Sequence, residues 1–147
     1  SSLLFELLRN DLAPEFFLEI FPALILTKDF ESILKIENQY YEKILTPTDF
    51  SYEDKKTIAL IAFAINNFKQ KNYTAAEVNL SFVDYNEIIN SYQKFFELLG
   101  TIPSYHLAKH HNSSKTNKLK NQYIKLSNML GFSFFDVSFL ENYFLAE

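Results

Sequence analysis

Residues 57–65 read Thr57-Ile58-Ala59-Leu60-Ile61-Ala62-Phe63-Ala64-Ile65. A helix of this composition is apolar all round, and such a helix is stable only where neighbours cover every face. Just ahead stands Ser51-Tyr52-Glu53-Asp54, which has the form of a capping box with Asp in place of the usual Glu. A helix from Tyr52 to about Gln70 is therefore expected at the centre of the fold. Its unbroken apolar part, Ile58 to Ile65, is far short of the roughly 20 residues that span a bilayer, so no membrane span is expected.

The rest of the chain agrees with a helical fold. Of 147 residues only 2 are Gly and 4 are Pro, against 16 Phe and 9 Tyr. Sandwiches and barrels need frequent turns, and turns draw on those small and rigid residues. So few turn formers predict an all-α bundle, one domain over residues 1–147.

On the N-terminal side, Leu3 to Leu8 reads as a short apolar helix. A second opens at Pro14 and carries Phe16, Phe17, Ile20, Phe21, Leu24 and Ile25 at helical spacing, with Pro22 expected to kink or divide it. Asp29 can cap a third helix, Phe30 to Leu45, ended by Thr46-Pro47-Thr48. On the C-terminal side, Thr74-Ala75-Ala76-Glu77 and Asp84-Tyr85-Asn86-Glu87 repeat the box. The second of these predicts a helix to Leu99 closed by Gly100, with Pro103 starting another to about His111. Residues 112–117 look like a flexible loop. Gly131 should stop a helix begun near Lys118, and Ser133 or Asp136 should cap a last aromatic segment, Phe134 to Leu145.

Several kinds of chemistry drop out on composition. With no Cys there is no disulfide, thiolate metal site or cysteine nucleophile. No basic segment followed by an apolar core is visible at the start, so a soluble, cytoplasmic chain is expected. The single Arg leaves little for bidentate phosphate or guanine recognition, and a net charge of −4 also argues against nucleic acid. One stretch runs the other way. From Leu98 to Phe135 there is no acid, while Lys109, Lys115, Lys118, Lys120 and Lys125 give it +5 and leave −9 elsewhere. Such asymmetry suits an acidic partner or a polyanion.

His106 and His110 stand four apart, on one helical face, with His111 beside them. That spacing can hold zinc, but a third ligand is missing and Leu107, Ala108 and Lys109 fill the interval, so no metal or cofactor is expected. Glu53, Asp54, Glu77, Asp84 and Glu87 all fall at helix starts, where capping accounts for them.

The order of features from Asp11 to His106 resembles the alkyl hydroperoxidase D-like, or carboxymuconolactone decarboxylase, superfamily. The segments that carry it are Pro14-Glu15-Phe16-Phe17, the charged entry and apolar helix over residues 51–67, Ala75-Ala76-Glu77 with Asp84-Tyr85-Asn86-Glu87-Ile88-Ile89, and Gly100-Thr101-Ile102-Pro103. The resemblance implies a helical domain that self-associates. It departs from the family where redox chemistry belongs, because Phe68, Lys71 and Ala75 occupy the places of the Cys-x-x-Cys and its His. A non-catalytic homo-oligomeric or protein-binding domain is the resulting expectation. The alternatives are a decarboxylase or isomerase with an aromatic pocket and His106 or His110 as acid–base group, and a lysine-rich binding surface.

Overall fold

A computed structural model describes residues 17–45, 53–87 and 92–145. The expected helix at Leu3–Leu8, the Thr46-Pro47-Thr48 stop and the start of the box at Ser51 lie outside them. Seven α-helices and one 3-10 turn make up the described residues, with no strand. In order they are α1 (Phe17–Leu26), α2 (Phe30–Leu45), α3 (Glu53–Lys69), α4 (Tyr73–Ser81), the 3-10 turn (Tyr85–Glu87), α5 (Tyr92–His110), α6 (Thr116–Leu130) and α7 (Val137–Glu141).

The apolar run is where its composition puts it. Every residue from Ile58 to Ile65 is at most 1% exposed, and α3 is packed between α1, α2, α4 and α5. Phe21 of α1 meets Phe63 of α3 edge-on, and Ile33, Ile36, Phe96, Leu99 and Ile102 close the same core. Among the described residues no helix is long and apolar enough to cross a membrane.

Helix ends in this glycine-poor chain are solved with other residues. At Lys28, Lys71 and Asn112 the backbone takes positive φ, 56°, 65° and 54°. Each site carries the same pair of bonds. Asp29 N reaches Leu24 O and Lys28 N reaches Ile25 O, and the pattern recurs at Asn72/Lys71 and at Ser113/Asn112. These are Schellman closures, in which a left-handed residue lets two amides satisfy the last carbonyls of the helix. Asp29 then caps α2 as expected, accepting from Ser32 N at 3.1 Å and Ser32 Oγ at 2.7 Å. Asp136 caps α7 by accepting from Phe139 N at 2.8 Å, and Gly131 ends α6 at φ 72°.

Several boundaries differ from expectation. Pro22 does not divide α1, and Gly100 and Pro103 do not separate two helices but lie inside α5. Pro103 removes one backbone hydrogen bond, which the burial of Leu98 to Pro103 and of Tyr105 to Leu107 offsets. Gly100 is required by packing instead of by a turn, since a Cβ there would collide with the hydroxyl of Tyr85.

The box at Thr74 is not used: α4 starts after Asn72 with no side-chain cap, and Glu77 turns to His111. Asp84 does cap, but it opens the 3-10 turn by accepting from Asn86 N at 3.0 Å. The expected loop at 112–117 is a hydrogen-bonded turn in which Ser113 Oγ accepts from Lys115 N, and Thr116 is already helical.

The aromatic C-terminal segment contains only the short α7 and then folds back over the bundle. Tyr143 is buried, and its hydroxyl donates to Ile25 O at 2.5 Å. Phe144 lies between Phe68 and His106, 4.6 and 4.8 Å between ring centroids. Lys28 places its ammonium 5.3 Å from the Tyr143 ring. Much of the Phe and Tyr supply is thus spent inside the molecule.

Candidate functional site

The three histidines are pulled to different tasks. His106 is only 8% exposed, and its Nε2 lies 2.7 Å from Leu140 O. A carbonyl can only accept, so Nε2 carries the proton and the ring is fixed as a donor to the turn holding α7. Burial pulls its pKa below the ordinary value, the bond to Leu140 opposes that, and Lys109 adds to the lowering. His110 stacks on Tyr73 with centroids 3.8 Å apart. His111 Nε2 meets Glu77 Oε1 at 2.6 Å.

His106 and His110 do share a small cleft of about 250 Å3 with Phe68, Lys109, Glu141 and Phe144. Its groups are already engaged, however: Lys120 holds Glu141 at 3.3 Å and Leu140 holds His106. Among the described residues no three His, Asp or Glu side chains are grouped to hold a metal ion. The positions of the resembled redox motif hold neither thiol nor imidazole. Phe68 sits in the aromatic cluster, Lys71 makes the left-handed cap, and Ala75 lines a second cleft. Lys115, Lys118 and Lys125 are exposed on α6 and its entry turn.

That second cleft is the more polar site. It measures about 560 Å3 and opens between α2, the C-terminal end of α3 and α4. Glu37, Asn38, Asn67, Gln70, Asn72 and Asn79 line it with one carboxylate and five carboxamides. Leu34, Tyr41, Ala75 and Val78 supply its apolar wall. Among the described residues no lysine, arginine or histidine faces it.

Glu37 is held on both oxygens. Asn66 Nδ2 donates to Oε1 at 3.0 Å and Asn67 Nδ2 to Oε2 at 3.1 Å. Asn67 also donates its other N–H to Asn79 Oδ1 at 2.8 Å, which leaves the Asn79 amide nitrogen as a donor group at the cleft. Burial pushes the Glu37 carboxyl above the usual carboxylate pKa, and the two amide bonds only partly offset this. Asn66, Asn67 and Asn79 are themselves buried, and Asn66 Oδ1 has no hydrogen-bond partner among the described residues. A buried network of this kind is costly unless its members are paired, and the pairing fixes them in one geometry.

Sequence reasoning missed this site. Its strongest signal is Asn66-Asn67, two carboxamides directly after the all-apolar Ile58–Ile65 run of a helix already read as central. A polar pair that continues a buried run is a candidate for burial itself, and a buried pair needs partners. No protein-family model, curated protein or solved structure matches the chain significantly.

Proposed function

We propose that this chain is a non-catalytic interaction domain whose recognition site is the cleft between α2, α3 and α4. The observation that carries this is the Glu37 carboxylate, gripped by Asn66 and Asn67 and lining a cleft large enough for a small ligand or a partner's side chains. The amide network pre-orients the polar groups, and pre-orientation lowers the entropic cost of binding. Among the described residues no nucleophile–base pair lines it, and in the smaller cleft His106 bonds Leu140 O while His110 stacks on Tyr73. Kinship with the alkyl hydroperoxidase D-like superfamily is part of the same proposal, resting on the order of sequence features alone. Amide chemical-shift mapping with a library of small polar compounds tests the reading. Shifts should concentrate at Glu37, Asn67, Gln70 and Asn79, and binding that maps elsewhere would refute it.

A second reading, self-association, is favoured by the opposite end of the α5–α6 hairpin. Phe134 is 56% and Met129 58% exposed there, and ring contacts run from Phe95 through Phe132 to Phe134. An apolar patch of this kind often marks a contact between copies. Sedimentation equilibrium should give a dimer or larger for the native chain and a monomer for Phe134→Asp. A native monomer at high concentration ends this reading.

A further inference from the structure

We infer that the group recognised in the α2–α3–α4 cleft is an organic cation, a protonated amine or a guanidinium, received by Glu37. The inference rests on the cleft being the binding site and adds the chemical class of what enters it. Three observations carry it.

First, among the described residues Glu37 has no countercharge. Ion pairs such as Lys35–Glu31, Lys94–Glu97, His111–Glu77 and Lys120–Glu141 all lie elsewhere, and none of these cations lines the cleft. Half-buried acids are ordinarily paired, because burial penalises an isolated charge.

Second, the two amides occupy only part of the carboxylate. Each oxygen accepts one bond from an Asn side chain. A carboxylate oxygen has two lone pairs, so acceptor capacity remains on both, the arrangement that suits an ammonium or a two-pronged guanidinium.

Third, the rest of the lining selects against anions without adding charge. Carboxamides supply neutral donors and acceptors to the body of the ligand, and Leu34 and Val78 give its aliphatic part an apolar wall. An anion would meet Glu37 with nothing to compensate it. A metal cation is a poorer match, because one carboxylate with neutral amides falls short of the several charged oxygens that hard cations favour.

The experiment titrates the whole chain with spermidine, with an N-acetylated, C-amidated Gly-Arg-Gly peptide, with maltotriose and with magnesium chloride. Amide shifts and calorimetry are followed for the native protein, for Glu37→Gln and for Asn38→Ala. Spermidine or the peptide should bind with shifts centred on Glu37 and Asn67, and the stronger of the two identifies a free amine or a basic segment as the source. Glu37→Gln should weaken that binding about tenfold or more, the range for losing a charge-assisted hydrogen bond, while keeping the native amide spectrum. Asn38→Ala, which leaves the charge in place, should weaken it much less. Maltotriose or magnesium binding in the cleft with both organic cations inert would overturn the cation assignment and leave the cleft reading standing. No probe binding there would overturn both, as would equal cation affinity in native protein and Glu37→Gln with shifts away from the cleft.

Discussion

The hydroxyl of Tyr143 donates to the carbonyl of Ile25, closing the last turn of the chain onto the end of α1 across 118 positions of sequence. Tyr123 is as deeply buried, yet its hydroxyl has no hydrogen-bond partner among the described residues. The same substitution should therefore act with opposite sign at the two sites. Tyr143→Phe leaves a carbonyl under-satisfied and should cost about 1 kcal/mol, whereas Tyr123→Phe removes an unpaired polar atom and should be neutral or stabilising. Urea denaturation of the two variants checks this, and equal losses would contradict it.

Burial lowers the pKa of His106 in the folded state, so the unfolded chain takes up the proton first as pH falls. The stability tied to His106 should be complete above its ordinary value of 6.5 and be lost as pH drops through the folded value. His106→Gln can keep a donor towards Leu140 O without titrating. The difference in unfolding free energy between native and variant should shrink or reverse on going from pH 7.5 to acid. A pH-independent difference would remove the argument.

An exposed glycine inside a helix is ordinarily improved by alanine, by up to about 1 kcal/mol. Gly100 should show the reverse. The added methyl would meet the Tyr85 hydroxyl and stand 2.9 Å from its ring carbon Cζ. Gly100→Ala should lower stability by about 1–3 kcal/mol, the usual cost of overpacking. Tyr85→Leu in the same chain should return part of it. Thermal unfolding of the single and double variants is the measurement.

Glu37→Gln removes a carboxylate whose burial is penalised and whose pKa is raised. The unfolded carboxyl loses its proton first as pH rises, so Glu37 weakens folding above the ordinary value of 4.5, increasingly until the folded group also ionises. With glutamine in place, the Asn66 amide can turn so that Oδ1 accepts from the new side chain. That moves the unpaired position to Nδ2 and leaves the loss of the buried charge as the gain. The variant should be more stable at neutral pH by about 1 kcal/mol. A clear loss of stability would mean that the carboxylate is a structural keystone.

The fold was legible where one residue's chemistry settles the matter locally. Thr57 to Ile65 has no polar face to expose, Asp29 and Asp136 present capping oxygens, and Gly131 supplies a left-handed stop. It was misread where a distant side chain overrules the local rule. Gly100 with Pro103 spells a helix end, but Tyr85 fills the space beside Gly100 and the helix runs on. Lys28 and Lys71 gave no warning of left-handed caps, because lysine has no preference for that conformation. Of the candidate site, only the odd placement of Asn66-Asn67 could be read. Glu37 lies 29 and 30 positions away from them and becomes their partner only when α2 docks on α3.

Glu37 is, on the reading proposed above, an acid held in waiting for a cation. A carbon-detected NMR titration of its side-chain carboxyl, without and with spermidine, is the most direct measurement. The midpoint should lie above the ordinary glutamate value of 4.5 in the free protein and move down when spermidine is present. A midpoint at or below that value in the free protein, unmoved by spermidine, would contradict it.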